Sequence, residues 1–310
     1  MTTAVTMIAT HSRTPFDAVT KLQYLDPASK VLRRYLAPGG AYNTCSFQWR
    51  DIIVKDARPT RSEFSLDTTG FCLVDHKSNV RFQLPYWKLC IIGKVWLAFK
   101  LKVSNWNDRS QLEGLYTSET ERLIKTITGA DEVVGFEPTL RRVATTLQWQ
   151  PFGSEVHIDY TTQTAEELID TLLQAKGLDR TLFTRFECIN LWRALSPAPQ
   201  DYPLGICDAR SVGPNECRPN YRIKVDVLPD PEDLPIQEPN PTPAADMFEF
   251  RPYHKWWFFS DMTAEEALVF KLYDSEKRGM RCPHTAFKDG LRANSKPRES
   301  VEIRTVVCYK

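Results

Sequence analysis

Three short patterns in the second half of the chain could do chemistry: Glu155-Val156-His157-Ile158-Asp159-Tyr160, Pro283-His284-Thr285-Ala286-Phe287 and Arg298-Glu299-Ser300. On a strand, residues two apart point to the same face, so His157 and Asp159 aim an imidazole and a carboxylate at one point. That is two thirds of a facial triad of two histidines and one carboxylate, which holds Fe(II) and leaves further positions open. The HxD spacing by itself is weak. The chain has five histidines and many acidic residues, so the spacing alone fits a half-exposed strand pair better than a ligand pair. His284 changes the balance, because a second ligand histidine must come from a strand distant in sequence and facing the first. Arg298 and Ser300 again share a strand face, offering a guanidinium for bidentate pairing with a carboxylate and a hydroxyl for one more hydrogen bond. The 14 residues from His284 to Arg298 leave room for the end of one strand, a turn through Asp289-Gly290 and the start of the next.

These patterns need a scaffold of strands, and the chain is rich in strand texture. From Cys45 to Phe99 and again from 132 onward, apolar and polar residues alternate, or branched and aromatic types run together. A helix is expected over 118–130, with Ser118 and Glu121 at capping-box spacing and Gly129 as its stop. A second is expected over 165–176, ending at Gly177. Residues 1–44 read as an irregular lead-in with a short helix near 28–36. Of the 21 prolines, 11 fall between Pro197 and Pro243, which reads as a long excursion inserted into a domain over 45–310. The expected class is α+β, mainly β, with a sandwich or barrel core. No glycine-rich phosphate loop supports a parallel doubly wound sheet.

The composition limits the functions open to the chain. With 310 residues, 40 Lys+Arg and 39 Asp+Glu, it can bury a large core and has no net charge suited to nucleic acid or an anionic membrane. The eight cysteines form no CxxC pair, so neither a zinc ribbon nor a redox pair is expected. The N-terminus lacks the pattern of a signal peptide, and the 11-residue apolar stretch at 89–99, which contains Lys94, is too short for a bilayer. The expectation is a cytoplasmic protein with free thiols, no nucleic-acid or membrane partner, and an open oligomeric state in which a homodimer is one candidate.

The ordered set HxD, His and RxS resembles the Fe(II)/2-oxoglutarate-dependent oxygenases. The strings GFCLVDH, ETERLIKTITGADEVVGFE, VHIDYT, INLWRAL, LVFKLYDS, PHTAF and RESVEIR are similar to the fungal hydroxylase/desaturase family of secondary metabolism. That family includes aspergillic-acid-type and gibberellin-desaturase-like members and is similar to the cephamycin-pathway hydroxylase component. The resemblance runs from about Gly70 to the C-terminus, and residues 1–44 and 197–243 carry little of it. It implies a double-stranded β-helix (jelly-roll, cupin-like) core with flanking N-terminal helices. It also implies His157, Asp159 and His284 on Fe(II), Arg298 and Ser300 on the distal carboxylate of 2-oxoglutarate, O2 as oxidant and a small-molecule substrate that is hydroxylated or desaturated. A non-catalytic jelly-roll binding or accessory subunit, and a cupin-type metal enzyme without 2-oxoglutarate, are the alternatives.

Other residues admit two readings each. Tyr160 and Trp257 are candidates for substrate contact, although one pair of the aromatics Trp256 to Phe259 is expected in the core. Asn190 and Arg193, on a run that reads as a buried strand, could meet substrate or co-substrate, with a structural ion pair equally open for Arg193. His254 reads as a satisfied or surface histidine, His76 as turn chemistry, and His11 as solvated.

Overall fold

The computed structural model of the chain describes residues 16–38, 40–78, 108–142, 149–235, 241–277, 279–290, 292 and 294–310. The expected strand at 79–84, the apolar stretch at 89–99 and His11 lie outside the described residues. The fold is mainly β. The first half of the chain carries β1 (Ala18–Leu25), β2 (Arg33–Ala37), β3 (Gly40–Asn43), β4 (Phe47–Asp56), β5 (Phe71–Asp75), β6 (Glu132–Arg142), β7 (Trp149–Gln150) and β8 (His157–Ile158). The second half carries β9 (Arg185–Ala194), β10 (Leu204–Cys207), β11 (Cys217–Lys224), β12 (Thr242–Phe248), β13 (Trp256–Phe258), β14 (Glu266–Asp274), β15 (His284–Ala286) and β16 (Glu299–Tyr309). Ten strands form one sheet in the order β1-β4-β13-β10-β15-β8-β12-β11-β2-β3, and six form a second, β5-β14-β9-β16-β6-β7.

The alternation along β9 shows how the layers stack. Cys188, Trp192 and Ala194 enter a core cluster shared with Val54, Phe248 and Trp256 of the ten-stranded sheet. Ile189 and Leu191 point the other way, into a second cluster with Tyr116 and Ile124 of the helical segment. Covered on both faces, the strand is buried from Phe186 to Ala194, including its polar residues Glu187, Asn190 and Arg193.

That helical segment includes the helix Thr117–Thr128, which ends at Gly129 with a φ of 68°, a conformation glycine adopts without a Cβ penalty. Its start differs from expectation. Ser118 does not cap it, because the chain is already helical from Arg109 onward, and Asp108 supplies the cap by accepting from the Ser110 amide. Glu121 instead accepts from the Gly135 amide at 2.9 Å and so ties the helix to β6. The helix Thr162–Ala175 begins at a reciprocal capping box between Thr161 and Thr164 and buries Ala165, Ile169 and Leu173.

Three expectations about organisation are corrected. Residues 18–43 are not an irregular lead-in: β1 pairs with β4 along its whole length, from Ala18 opposite Val54 to Leu25 opposite Phe47. Ala18, Leu22 and Tyr24 point inward from it. The helix expected near 28–36 is replaced by β2, which runs parallel to β11 with Tyr35 opposite Ile223; its side chains gain more from that edge than from a solvated helical turn. Among the described residues, helices do not precede the strands but lie between them. The proline-rich segment, in which the run from Tyr221 to Leu228 reads as a strand, contributes β10, β11 and the start of β12 to the ten-stranded sheet.

A buried charge cluster holds β9 against β14. Lys271, fully buried, bonds Glu187 and lies 2.9 Å from Asp274, which also accepts from Arg185 at 2.7 Å. Burial pushes the Asp274 carboxyl up, but Arg185, the Lys277 amide and Lys271 outweigh it and hold the group below its ordinary 3.8. A carboxyl depressed in the folded state adds stability above its unfolded value and loses it as the pH falls. Thermal unfolding is therefore expected to show declining stability as the pH drops below about 4, with a smaller decline in Asp274→Asn. Lys271→Met, which leaves two buried carboxylates facing each other, is expected to cost roughly 3–5 kcal/mol in denaturant titrations.

Candidate metal centre

The first two candidate ligands come from one short strand and the bend after it. β8 carries His157, the bend places Asp159, and β15 lies beside β8 with His284 directly opposite His157. The second histidine therefore comes from the neighbouring strand and not from one facing the first across the core. Side chains of directly opposed residues lie side by side, and the two imidazole rings are 4.5 Å apart at their centroids. Asp159 Oδ1 stands 3.5 Å from His157 Nε2 and 3.9 Å from His284 Nε2. The three donor atoms all lie within 4.8 Å of one another, a span suited to one ion.

Hydrogen bonds to the backbone set the tautomers. His157 Nδ1 is 2.7 Å from the Glu155 carbonyl, and His284 Nδ1 is 3.2 Å from the Cys282 carbonyl. A carbonyl only accepts, so each Nδ1 carries a proton and each Nε2 is the nitrogen turned to the centre. The carboxylate is divided in the same way: Oδ2 accepts from Arg304 Nε at 2.9 Å, leaving Oδ1 toward the imidazoles. Burial pushes the Asp159 carboxyl up, yet Arg304 and the two histidines together hold it well below the usual range, so it is an anion. Burial and the neighbouring His157 push His284 down to about 4, so it is neutral near pH 7. At His157 burial is outweighed by Asp159 and the Glu155 carbonyl, which raise it, so that metal binding there displaces a proton. Neutral imidazole and ionised carboxylate are the forms in which these groups bind metal.

Packing fixes the rings. The Phe270 ring lies 4.8 Å from that of His284. Over His157 sits Gly153, where an added Cβ would come within 2.7 Å of Cε1, and whose carbonyl accepts from the Ala286 amide of β15 at 2.9 Å. Only glycine leaves room for the ring while keeping that bond.

Behind Asp159 runs a row of polar groups that the spacing arguments overlooked. Arg304 also bonds Glu302 at 2.9 Å, and Glu302 accepts from Arg141 at 2.5 Å. Ser300, Glu302 and Arg304 are spaced by two on β16, with Arg298 just before it, and the other face of that strand holds Val301, Ile303 and Val307. That alternation was the available signal. The Arg298 guanidinium is buried over the rings of Phe152, at 4.4 Å, and Trp192, at 5.6 Å. It donates to the Tyr202 carbonyl at 2.9 Å, while its Nε and the Ser300 hydroxyl are buried without a hydrogen-bond partner.

The remaining candidates separate. Asn190 points to the same inter-sheet side as Trp192, with both amide atoms unpartnered. Tyr160 is half-buried beside Asp159, with burial raising its hydroxyl well above the ordinary value. Trp257 lies in register with Ile206, which is in register with His284, so it occupies the same sheet face two strands from the ligand. Arg193 is not at the centre. It faces the helical side and donates to the His76 and Ala264 carbonyls at 2.6 and 2.8 Å, because neighbours on a strand point oppositely. His254 is buried and satisfied, stacked on Tyr24 and bonded to Glu216 at 2.9 Å. No helix among the described residues is long and apolar enough to cross a membrane.

The family profile described as oxidoreductase/YMDC permease-like domain matches residues 93–308. Similar proteins include an Fe(II)/2-oxoglutarate-dependent dioxygenase of Aspergillus novofumigatus, 28% identical over 88% of each chain. A hydroxylase/desaturase of Hormonema carpetanum is 29% identical over 87% of this chain and 85% of that one. Among solved structures, the iron and alpha-ketoglutarate-dependent endoperoxidase NvfI superposes with a TM-score of 0.74 at 25% identity, covering 96% of this chain and 99% of that chain.

Gly153→Ala is expected to displace the His157 ring and weaken Co(II) or Mn(II) binding by roughly 10- to 100-fold. Calorimetric titration measures it, and an unchanged affinity would show that the ring has room to move.

Proposed function

The chain belongs to the oxidoreductase/YMDC permease-like family, and from that premise we propose that it is a non-heme Fe(II)/2-oxoglutarate-dependent oxygenase that hydroxylates or desaturates a small-molecule secondary metabolite. The observation that carries this reading is the convergence of two Nε2 atoms and one carboxylate oxygen, beside a buried guanidinium with no bonded carboxylate. Two imidazoles and a carboxylate on one side of an ion form the donor set of non-heme Fe(II) oxygenases. The two facing sheets are read as a double-stranded β-helix, and residues 18–310 as one catalytic unit.

The second half of the fit is the RxS pair. Burial and the nearby Arg141 push Arg298 down to about 9, so at neutral pH the group is a cation held in apolar and aromatic surroundings. An anionic carboxylate would relieve that cost, and its oxygens would give Arg298 Nε and Ser300 Oγ the partner each lacks. The distal carboxylate of 2-oxoglutarate meets both needs.

When bound, Fe(II), 2-oxoglutarate and O2 supply the oxidising power, with the co-substrate converted to succinate and CO2. The protein supplies placement. His157, Asp159 and His284 hold the ion, and the backbone carbonyls of Glu155 and Cys282 keep both imidazoles turned toward it. Arg298 and Ser300 fix the far end of the co-substrate, while Phe152 and Trp192 shield that charge pair from water. Tyr160 and Trp257 border the sheet faces next to the ligands and are the residues proposed to touch the organic substrate. A misplacement of about 1 Å can cost about 100-fold in rate, and these groups sit on strands or at their immediate ends, where the sheets hold them.

Adding Fe(II) and 2-oxoglutarate without oxygen is expected to produce a weak visible charge-transfer band, and admitting oxygen to yield succinate. Absence of the band, or a band that survives in His157→Ala, would overturn the assignment. Arg298→Met removes the charge partner of a buried carboxylate and is expected to weaken 2-oxoglutarate binding by about 100-fold, near 3 kcal/mol.

A further inference from the structure

Asn190 is the most conspicuous unexplained group in the inter-sheet core. It is 1% exposed, and both Oδ1 and Nδ2 are buried without a hydrogen-bond partner. A buried amide left unpaired at both ends costs free energy for each unmade bond, and an apolar side chain would fill the position at no such cost.

Its place in the register is specific. Asn190 on β9 is opposite Phe270 of β14 on one side and Arg304 of β16 on the other. Phe270 packs on the His284 ring, and Arg304 bonds Asp159. Asn190 is thus flanked by the residues that touch two of the three candidate ligands. Two positions along the same face lies Trp192, whose ring carries the Arg298 guanidinium and whose Nε1 is also unpartnered. Two residues of strand cover about 6.7 Å, on the order of the distance between the ends of a five-carbon diacid. A molecule with one carboxylate at the Trp192 level would bring its other end to the Asn190 level.

We propose that Asn190 binds the keto-acid end of 2-oxoglutarate by donating from Nδ2 to one of its oxygens, fixing the co-substrate at the end opposite Arg298. This rests on the oxygenase reading above. The keto acid presents only acceptors, so it pairs with the NH2 half of the amide and leaves the carbonyl half for a donor on the organic substrate. Asn190 is a binding residue, and Arg304 and Phe270 position it by closing the strands on either side.

The test is an anaerobic titration of the Fe(II)-loaded protein with 2-oxoglutarate, followed by the charge-transfer band, together with Co(II) affinity and melting temperature. Asn190→Leu is expected to weaken 2-oxoglutarate at least 10-fold, leave Co(II) affinity within about twofold, and melt at the wild-type temperature or above. A residue with a merely structural role would lower the melting temperature instead. Asn190→Asp keeps the shape and an acceptor but loses the donor, and is expected to weaken 2-oxoglutarate at least as much. If wild type forms the band and both variants bind 2-oxoglutarate like wild type, Asn190 has no such role and the oxygenase assignment stands. If wild type forms no band, the assignment itself fails.

Discussion

The ion pair between Arg304 and Asp159 joins the two halves of this molecule at the point where chemistry is expected. Asp159 follows β8 of the ten-stranded sheet, and Arg304 lies on β16 of the six-stranded one. Two sheets can slide over an apolar interface at small cost, because dispersion contacts carry little direction. A buried charge-assisted hydrogen bond does carry direction, and breaking it would leave an unpaired charge in the core. The spacing between the sheets is therefore set where a carboxylate oxygen must face two imidazoles. Glu302, held between Arg141 and Arg304, supplies the counter-charge that lets both guanidinium groups stay buried.

The division of β9 into two faces gives the rest of the order. Glu187, Ile189, Leu191 and Arg193 face the helical layer, where Arg193 is satisfied by carbonyls and Glu187 by Lys271 and Tyr309. Asn190 and Trp192 face the other sheet, and there the polar atoms have no protein partner. One strand thus carries a face whose polar groups are satisfied and a face whose polar groups are not. The same contrast separates Arg193 from Arg298: each is buried, and only one lacks a full set of acceptors.

Much of the centre was legible in the sequence because chemistry requires rare residue types at fixed spacing. His157 and His284 are two of only five histidines, with Asp159 two residues from the first, and the spacing of Arg298 and Ser300 is a local property of the sequence. Arg304 lies two steps beyond the RxS pattern on the same polar alternation, and only its contact with Asp159 marks it out. The N-terminal strands escaped for another reason. β1 and β2 are stabilised by partners at 47–56 and 221–224, and pairing across that distance leaves only a weak local signal, which the prolines on either side of β2 obscured. Within 197–243 the run from Tyr221 to Leu228 reads as a strand and overlaps β11, whereas the prolines around β10 and the start of β12 hide those two.

His284 is far in sequence from the other two candidate ligands, with more than a hundred residues of chain between Asp159 and His284, yet β8 and β15 meet through a single opposed pair. So short a ladder has little hold of its own. An ion bound there acts as a cross-link that closes a very long loop, and its binding free energy is available only to the closed state. Metal occupancy and resistance to unfolding are thereby coupled. Loss of an ion held there would remove the catalytic metal and the tie between β8 and β15 together.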